Sequence, residues 1–174
     1  MPLSPPSALL VAIPEAEPLV REHRLRFDPV TERGVPAHVT AIYPFIARDD
    51  LDQAVLDRVA ELAAAHEAFD YAFSSPAWFD TDVLYLAPDD PEPFLRLTTA
   101  LVRAFPDHPP YQGAYDEVTP HLTVAQRTED ADLEAVESAL RVGLPVTGRA
   151  EHLTLMIEDD EGRWSVLRQF PFAG

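Results

Sequence analysis

The residues best suited to chemistry are two histidine–threonine pairs, one in each half of the chain. The first pair is His38 and Thr40, and the second is His121 and Thr123. Both lie in short runs that are typical of β-strands, in which residues two apart point to the same face. Each strand therefore presents an imidazole and a hydroxyl together, and we expect the two pairs to meet across a common cleft.

Two histidines that face one cleft suit general acid–base catalysis. An unperturbed imidazole has a pKa near 6.5, so near neutral pH one ring can accept a proton while the other donates one. Proton transfers of this kind contribute about 10²–10⁴-fold in rate. The two threonine hydroxyls would lie within reach of the same anion and stabilise charge that develops on it. The pattern therefore predicts a site for a phosphate ester.

The elements that must position the two pairs follow the same order in both halves. A proline-containing turn precedes each pair, and an acidic loop, an amphipathic helix and a hairpin follow it. The first of these helices is predicted over 49–66, with Asp49 and Asp50 at its start, and the second begins near Asp132 and ends at Gly143. The other face of each motif strand is apolar and suits burial under helices; it carries Val39, Ala41, Leu122 and Val124.

The remaining periodicity predicts further strands and helices. Strands are expected over 7–13, 69–73, 83–87, 146–157 and 164–170, and helices over 15–24 and 91–105. The predicted fold class is α+β, a bilobal duplicated unit with two antiparallel sheets facing a central cleft and helices on the outside. Residues 1–174 would form a single domain of two pseudo-symmetric lobes.

The composition and the net charge limit the kinds of molecule that this protein could bind. The chain has 13 basic residues, all arginine, and 30 acidic residues, and its net charge is −17. This charge argues against a protein that binds a long nucleic-acid duplex through its phosphates. We expect a small nucleotide or one RNA end instead. The chain has no cysteine and no apolar run of about 20 residues. We therefore expect no disulfide, no membrane association, a cytoplasmic location and a monomer.

Other candidates have simpler explanations. A third pair, His152 and Thr154, lacks the acidic loop and helix that follow the other two, and it is interpreted as part of a structural strand. A zinc site built from the three motif histidines can be drawn, but no further ligand stands at recognisable spacing. The histidines of the two repeated pairs could themselves be hydrogen-bonded strand residues without a catalytic role.

Several aromatic residues and one arginine are possible substrate contacts. Tyr43 follows the first motif, and Arg127 follows the second. Simple alternation places Tyr43 on the helix-facing side, although Pro44 directly after it could turn it outward. Tyr111 and Tyr115, in the loop before the second motif, could close over the cleft. Trp78, Phe79 and Tyr85 could stack a nucleobase, but they are more simply interpreted as core residues.

The two repeated pairs, His38-Val39-Thr40 and His121-Leu122-Thr123, resemble the motifs of the 2H phosphoesterase superfamily, which includes 2′-5′ RNA ligase and 2′,3′-cyclic phosphodiesterase type enzymes. The resemblance implies a metal-independent phosphoesterase without a cofactor, with His38 and His121 catalytic and Thr40 and Thr123 binding phosphate. It also implies a 2′,3′-cyclic phosphate or 2′-5′ linkage at an RNA 3′ end or in a small nucleotide. Several members carry an arginine three residues after the second threonine, where this chain has Gln126.

Two hypotheses of different classes follow. The first is an enzyme that cleaves a nucleotide or RNA-end phosphodiester, with the two imidazoles exchanging acid and base roles. The second is a catalytically idle binding module that keeps the anion cleft and senses a nucleotide. Turnover by the wild type and its loss in a histidine variant would distinguish the enzyme from the module. A purely structural partner protein would bind no ligand at either motif.

Overall fold

Over the residues that the structure describes, the chain folds into five α-helices and two antiparallel sheets, which confirms the predicted α+β class. The computed structural model describes residues 3–113, 118–129 and 131–174. Its strands are β1 Ser7–Ala12, β2 His38–Ile42, β3 Phe69–Phe79, β4 Val83–Pro88, β5 Leu122–Gln126, β6 Val146–Ala150, β7 His152–Glu158 and β8 Trp164–Pro171. Its α-helices are α1 Glu17–Phe27, α2 Pro29–Glu32, α3 Gln53–Ala65, α4 Glu92–Ala104 and α5 Leu133–Gly143.

The strands form two four-stranded antiparallel sheets, in the orders β2-β1-β7-β8 and β5-β4-β3-β6. The two motif strands, β2 and β5, are edge strands, and they lie beside each other. The hairpin that follows each motif joins the sheet of the other motif, so both sheets combine strands from both halves of the chain. This exchange brings the two histidine–threonine pairs to one place.

Helices cover the outer faces of the two sheets, as the predicted architecture requires. Helices α3 and α4 contact the sheet of β2, and α1 and α5 contact the sheet of β5. The apolar face of each motif strand is buried against them, with Val39, Ala41, Leu122 and Val124 each at most 5% exposed. The motif strands are thereby fixed from behind, and their polar faces are left for the cleft.

Several element boundaries differ from the predicted ones for local reasons. Helix α3 begins at Gln53 and not at Asp49, because residues Arg48–Asp50 form a 3-10 turn and Asp52 caps the helix. The carboxylate of Asp52 accepts a hydrogen bond of 2.9 Å from the backbone N–H of Val55. In α5 the predicted start is correct, since Asp132 accepts an equivalent bond of 3.0 Å from Ala135.

Two strand predictions are wrong in extent. Strand β3 continues to Phe79 because its first part pairs with β6 and its second part pairs with β4. The single strand expected over 146–157 is divided at Glu151 into β6 and β7, which belong to different sheets. None of the helices in the described ranges combines the length and the apolar character needed to cross a bilayer.

Candidate active site

The two motif histidines are held by the same hydrogen bond. Nδ1 of His38 lies 2.7 Å from the carbonyl oxygen of Pro36, and Nδ1 of His121 lies 2.7 Å from that of Thr119. A carbonyl oxygen only accepts hydrogen bonds, so each Nδ1 carries the proton and donates it. In the neutral ring the lone pair is then on Nε2, which makes Nε2 the atom that can accept a proton.

A β-bulge directly after Thr40 changes which residues of β2 face the cleft. The register of β2 against β1 shifts between Thr40 and Ile42, which makes Ala41 the extra residue. Both Ala41 and Ile42 are buried, and Tyr43 lines the same cavity as Thr40. The prediction from simple alternation, that Tyr43 lies on the helix-facing side, is therefore wrong.

Strand β5 has a bulge at the equivalent position. Its register against β4 shifts between Thr123 and Ala125, so Val124 is the extra residue. Val124 and Ala125 are both fully buried, and Gln126 lines a cavity together with Thr123. In both motifs, then, the residue three positions after the threonine returns to the cleft.

A cavity of about 190 Å³ adjoins the first pair, His38 and Thr40. Its other walls are mostly apolar or aromatic and include Leu10, Val30, Val35, Tyr43 and Trp164. The rings of Tyr43 and Trp164 meet edge to face, with centroids 6.0 Å apart. Arg33 and Glu158 supply the charged groups of this cavity.

A second cavity, of about 660 Å³, adjoins His121 and Thr123 and has a different character. Asp80, Asp82 and Gln126 supply polar side chains to its lining. Tyr111 lines both cavities, and its backbone N–H donates a hydrogen bond of 2.7 Å to the carbonyl of Tyr43. The two cavities are thus adjoining halves of one cleft.

Aromatic rings fix the orientation of His121. The ring of Phe79 meets His121 edge to face at 4.9 Å between centroids, and Tyr85 meets it at 5.6 Å. Phe79 and Tyr85 stack on each other at 4.2 Å. These two residues, considered from sequence as base-stacking candidates, support a motif histidine, and Phe79 also lines the cavity at His121.

Burial lowers the pKa of both histidines. For His38 it lowers the pKa from 6.5 to about 4; the bond to Pro36 opposes the shift, and charges on Arg24 and His121 add to it. For His121 burial also lowers the pKa, and the bond to Thr119 opposes it. Both rings are therefore neutral at pH 7 without a ligand. An anion bound between them would favour the protonated form of either ring.

A buried ion pair anchors the loop that holds His38. Arg24 and Asp28 are almost fully buried and lie 3.3 Å apart. Nη2 of Arg24 also donates a hydrogen bond of 3.2 Å to the carbonyl of Val35. Val35 directly precedes Pro36, whose carbonyl accepts the bond from His38, so the ion pair fixes the backbone that orients the imidazole.

Of the possible substrate contacts, Tyr43 lines the cleft and Arg127 does not. Nε of Arg127 donates a hydrogen bond of 2.6 Å to the carbonyl of Thr81, and its Nη2 lies 3.1 Å from Glu134. Its guanidinium covers the ring of Trp78 at 5.7 Å. Tyr115 lies outside the described residues.

The third pair, His152 and Thr154, lies two strands from the first. Leu10 pairs with Thr40 on one side and with Thr154 on the other, which places both threonines on the same face, about 10 Å apart. Nε2 of His152 lies 3.0 Å from the amide nitrogen of Gln169. Nε2, the nitrogen that is available for proton transfer in His38 and His121, is therefore hydrogen-bonded in His152. This bond favours the structural interpretation of His152.

Sequence reasoning missed Trp164 and Arg33, which line the first cavity. Trp164 begins the last strand, far from both motifs, and its backbone N–H donates a hydrogen bond of 2.7 Å to the carbonyl of Arg33. No local pattern signals this contact. Arg33 had one usable signal, its position in the loop that leads into the first motif.

The described residues contain no group of three or more histidine, aspartate or glutamate side chains that could hold a metal ion. The zinc site drawn from the histidines of the three pairs is thus not assembled in the part of the chain that the structure describes.

Comparisons with known proteins agree with this fold. Residues 11–162 match the family model of the 2′-5′ RNA ligase superfamily. The crystal structure of TT0787 from Thermus thermophilus is 23% identical, with a TM-score of 0.67 over 97% of this chain and 98% of that one.

The crystal structure of E. coli LigT complexed with 3′-AMP is 15% identical, with a TM-score of 0.64 over 98% of this chain and 99% of LigT. A third solved structure, named a phosphoesterase, is 14% identical, with a TM-score of 0.59 over 98% and 99%. No curated protein matches the sequence. The family match covers most of the chain, and the chain belongs to the 2′-5′ RNA ligase superfamily of 2H phosphoesterases.

Proposed function

We propose that the protein is a metal-independent phosphodiesterase that opens 2′,3′-cyclic phosphates of nucleotides or RNA 3′ ends, with 2′-5′ linkages as the related alternative substrate. The observation that carries this proposal is the matched state of His38 and His121. Each donates from Nδ1 to a backbone carbonyl and has Nε2 left for proton transfer. Two such imidazoles on adjoining halves of one cleft supply an acid and a base without a metal ion.

In the proposed reaction the base removes a proton from water as the water oxygen attacks phosphorus. The bond between phosphorus and one ribose oxygen breaks, and the acid gives its proton to that oxygen. The product is a nucleoside monophosphate with a free neighbouring hydroxyl. The catalytic pair ends with its proton exchanged between the two rings, and exchange with water restores the starting state.

We assign the base to His38 and the acid to His121. His38 has the more strongly lowered pKa, and Arg24 is among the charges that oppose its protonation. His121 carries the smaller shift and is the better site for the single proton. The hydroxyls of Thr40 and Thr123 would donate hydrogen bonds to the non-bridging phosphate oxygens and stabilise their charge in the transition state.

A small anionic partner fits the rest of the molecule. A net charge of −17 disfavours a long duplex, while Arg33 supplies a cation beside the first pair. Structures of LigT contain 3′-AMP in one case and phosphate in another, and 3′-AMP is the kind of product that opening of a 2′,3′-cyclic phosphate yields. The cytoplasmic location expected from sequence is compatible with such a substrate.

The test is turnover of the four nucleoside 2′,3′-cyclic phosphates, of 2′-5′ dinucleotides and of RNA with a cyclic phosphate end, all in excess chelator. We expect activity in the wild type and a loss of about 10²–10⁴-fold in His38→Ala and in His121→Ala. His152→Ala is the matched control, because it removes an imidazole from the third pair, and it should retain wild-type activity.

Two results would contradict the proposal. Activity that appears only when a divalent metal is added would exclude the two-histidine mechanism. Tight nucleotide binding without turnover of any of these substrates would favour the idle binding module.

A further inference from the structure

The two halves of the cleft differ in their walls. The half at His38 has an apolar and aromatic wall, formed by Val30, Val35, Tyr43 and Trp164. The half at His121 combines apolar Phe79 and Val83 with the polar side chains of Asp80, Asp82 and Gln126. A symmetric pair of catalytic groups is therefore placed between two chemically unlike surfaces.

The apolar wall is a built part of the fold. The backbone N–H of Trp164 donates a hydrogen bond of 2.7 Å to the carbonyl of Arg33. Gly34 allows this close approach, because a Cβ at its position would lie 2.5 Å from the carbonyl oxygen of Trp164 and its φ is +106°. The loop that leads to His38 and the start of the last strand are thus fixed to each other around the cavity.

We propose that this half of the cleft is the nucleobase pocket, and that Trp164 is the residue on which the base of the scissile nucleotide packs. The inference rests on the proposed function and adds a direction to the substrate. The nucleobase lies on the His38 side of the cleft, and the phosphate lies between His38 and His121.

Three observations support a base as the occupant. The cavity directly adjoins the imidazole of His38 and the hydroxyl of Thr40, so a ligand with phosphate at that pair has its nucleoside beside the wall. Aromatic and aliphatic surface suits the flat face of any base. Arg33 and Glu158 add a hydrogen-bond donor and an acceptor to the same cavity, and the Watson–Crick edge of each base carries groups of both kinds.

The first test uses binding and not catalysis. The chain has two tryptophans, and Trp78→Phe leaves Trp164 as the single tryptophan fluorophore. Adenosine 3′-monophosphate should quench its emission, whereas ribose 3-phosphate and inorganic phosphate should bind without quenching. Absence of quenching by the nucleotide, at concentrations that protect the protein against urea, would overturn the proposal.

The second test separates base binding from the phosphate chemistry. Trp164→Ala should weaken adenosine 3′-monophosphate binding by about 5- to 100-fold and raise KM for nucleoside cyclic phosphates, with kcat changed less. Trp164→Phe should recover most of the loss. Trp78→Ala is the matched control, because Trp78 packs under Arg127 outside both cavities, and its nucleotide affinity should equal that of the wild type.

A cyclic phosphate without a base, such as glycerol 1,2-cyclic phosphate, tells the two proposals apart. If Trp164→Ala lowers kcat/KM equally for this compound and for nucleotides, the base pocket is wrong while the phosphodiesterase stands. If no cyclic phosphate is turned over but nucleotides still quench Trp164, the base pocket stands and the proposed reaction fails.

Discussion

The lowered pKa values of the two motif histidines predict an unusual pH dependence for the reaction. Catalysis by one base and one acid needs the cleft to hold a single proton, so both the doubly protonated and the fully neutral forms are inactive. His38 has its pKa lowered to about 4, and burial lowers the pKa of His121 below its ordinary value of 6.5. The single-proton form of the free protein is therefore most abundant between about pH 4 and pH 6.5.

The expected size of the effect follows from these limits. Above the higher of the two apparent pKa values, the single-proton fraction falls tenfold for each pH unit. We expect kcat/KM to reach its maximum below pH 6.5 and to fall about tenfold between pH 7 and pH 8. A phosphodiester is a monoanion over this whole range, so the substrate contributes no titration of its own.

Saturation with substrate should shift the profile. The bound anion favours the imidazolium form, so the descending limb of kcat should lie at higher pH than that of kcat/KM. We would measure initial rates from pH 4.5 to pH 9 at constant ionic strength, with circular dichroism to show that the protein stays folded. Thr40→Val is the control, since it should lower the rate at every pH without moving either limb. A kcat/KM that is constant between pH 7 and pH 8 would show that the single-proton form is not the active form.

Three further predictions concern the support of the site. The pKa of His38 in the folded protein is lowered, so its contribution to the free energy of unfolding is fully present above pH 6.5 and is lost as the pH falls toward 4. Urea unfolding should therefore show a loss of up to about 2 kcal/mol between pH 8 and pH 5. The His38→Gln variant should lack this loss. Gly34→Ala places a Cβ against the carbonyl of Trp164 at a residue with positive φ. The substitution should lower the free energy of unfolding by about 1–3 kcal/mol and weaken nucleotide binding. An unchanged urea midpoint would contradict this prediction. Arg24→Met leaves the Asp28 carboxylate buried without its partner, and should destabilise by about 3–5 kcal/mol, of which Arg24→Met/Asp28→Asn regains part.

Local patterns in the sequence were sufficient to predict the strands and helices that position the two motifs. Alternation correctly separated the buried residues of each motif strand, such as Val39 and Leu122, from the histidines and threonines on the other face. Helical spacing located α4 and α5, and Asp132 marked the start of α5. These features depend on contacts within a few residues, which a sequence shows directly.

Features that depend on pairing between distant segments could not be read in this way. The bulges at Ala41 and Val124 are single extra residues without a glycine to mark them. The bulge at Ala41 reverses the direction that simple alternation gives to Tyr43. The joining of each hairpin to the opposite sheet is decided by long-range strand pairing. The place of Trp164 beside the first motif follows from the same pairing. Monomeric state, cytoplasmic location and the pseudo-symmetric lobes stay predictions.

The bulge in β5 brings Gln126, and not its neighbour Arg127, to the cleft. Because Val124 is the extra residue, position 126 faces the cleft, and Arg127 is bonded to Thr81 and Glu134. An amide at position 126 carries no charge.

The described lining of the cavity at His121 includes Asp80 and Asp82 but no arginine. The positive charge that this half of the cleft can offer to a phosphate is therefore that of His121 itself, when it is protonated. Arginine at position 126 would give this half of the cleft a permanent positive charge, whereas under the proposed mechanism its positive charge and its acid catalysis depend on the same proton of His121. Gln126→Arg should accordingly strengthen phosphate binding at pH 8 more than at pH 6, and isothermal titration at the two pH values checks this. An equal gain at both would show that His121 does not supply the charge.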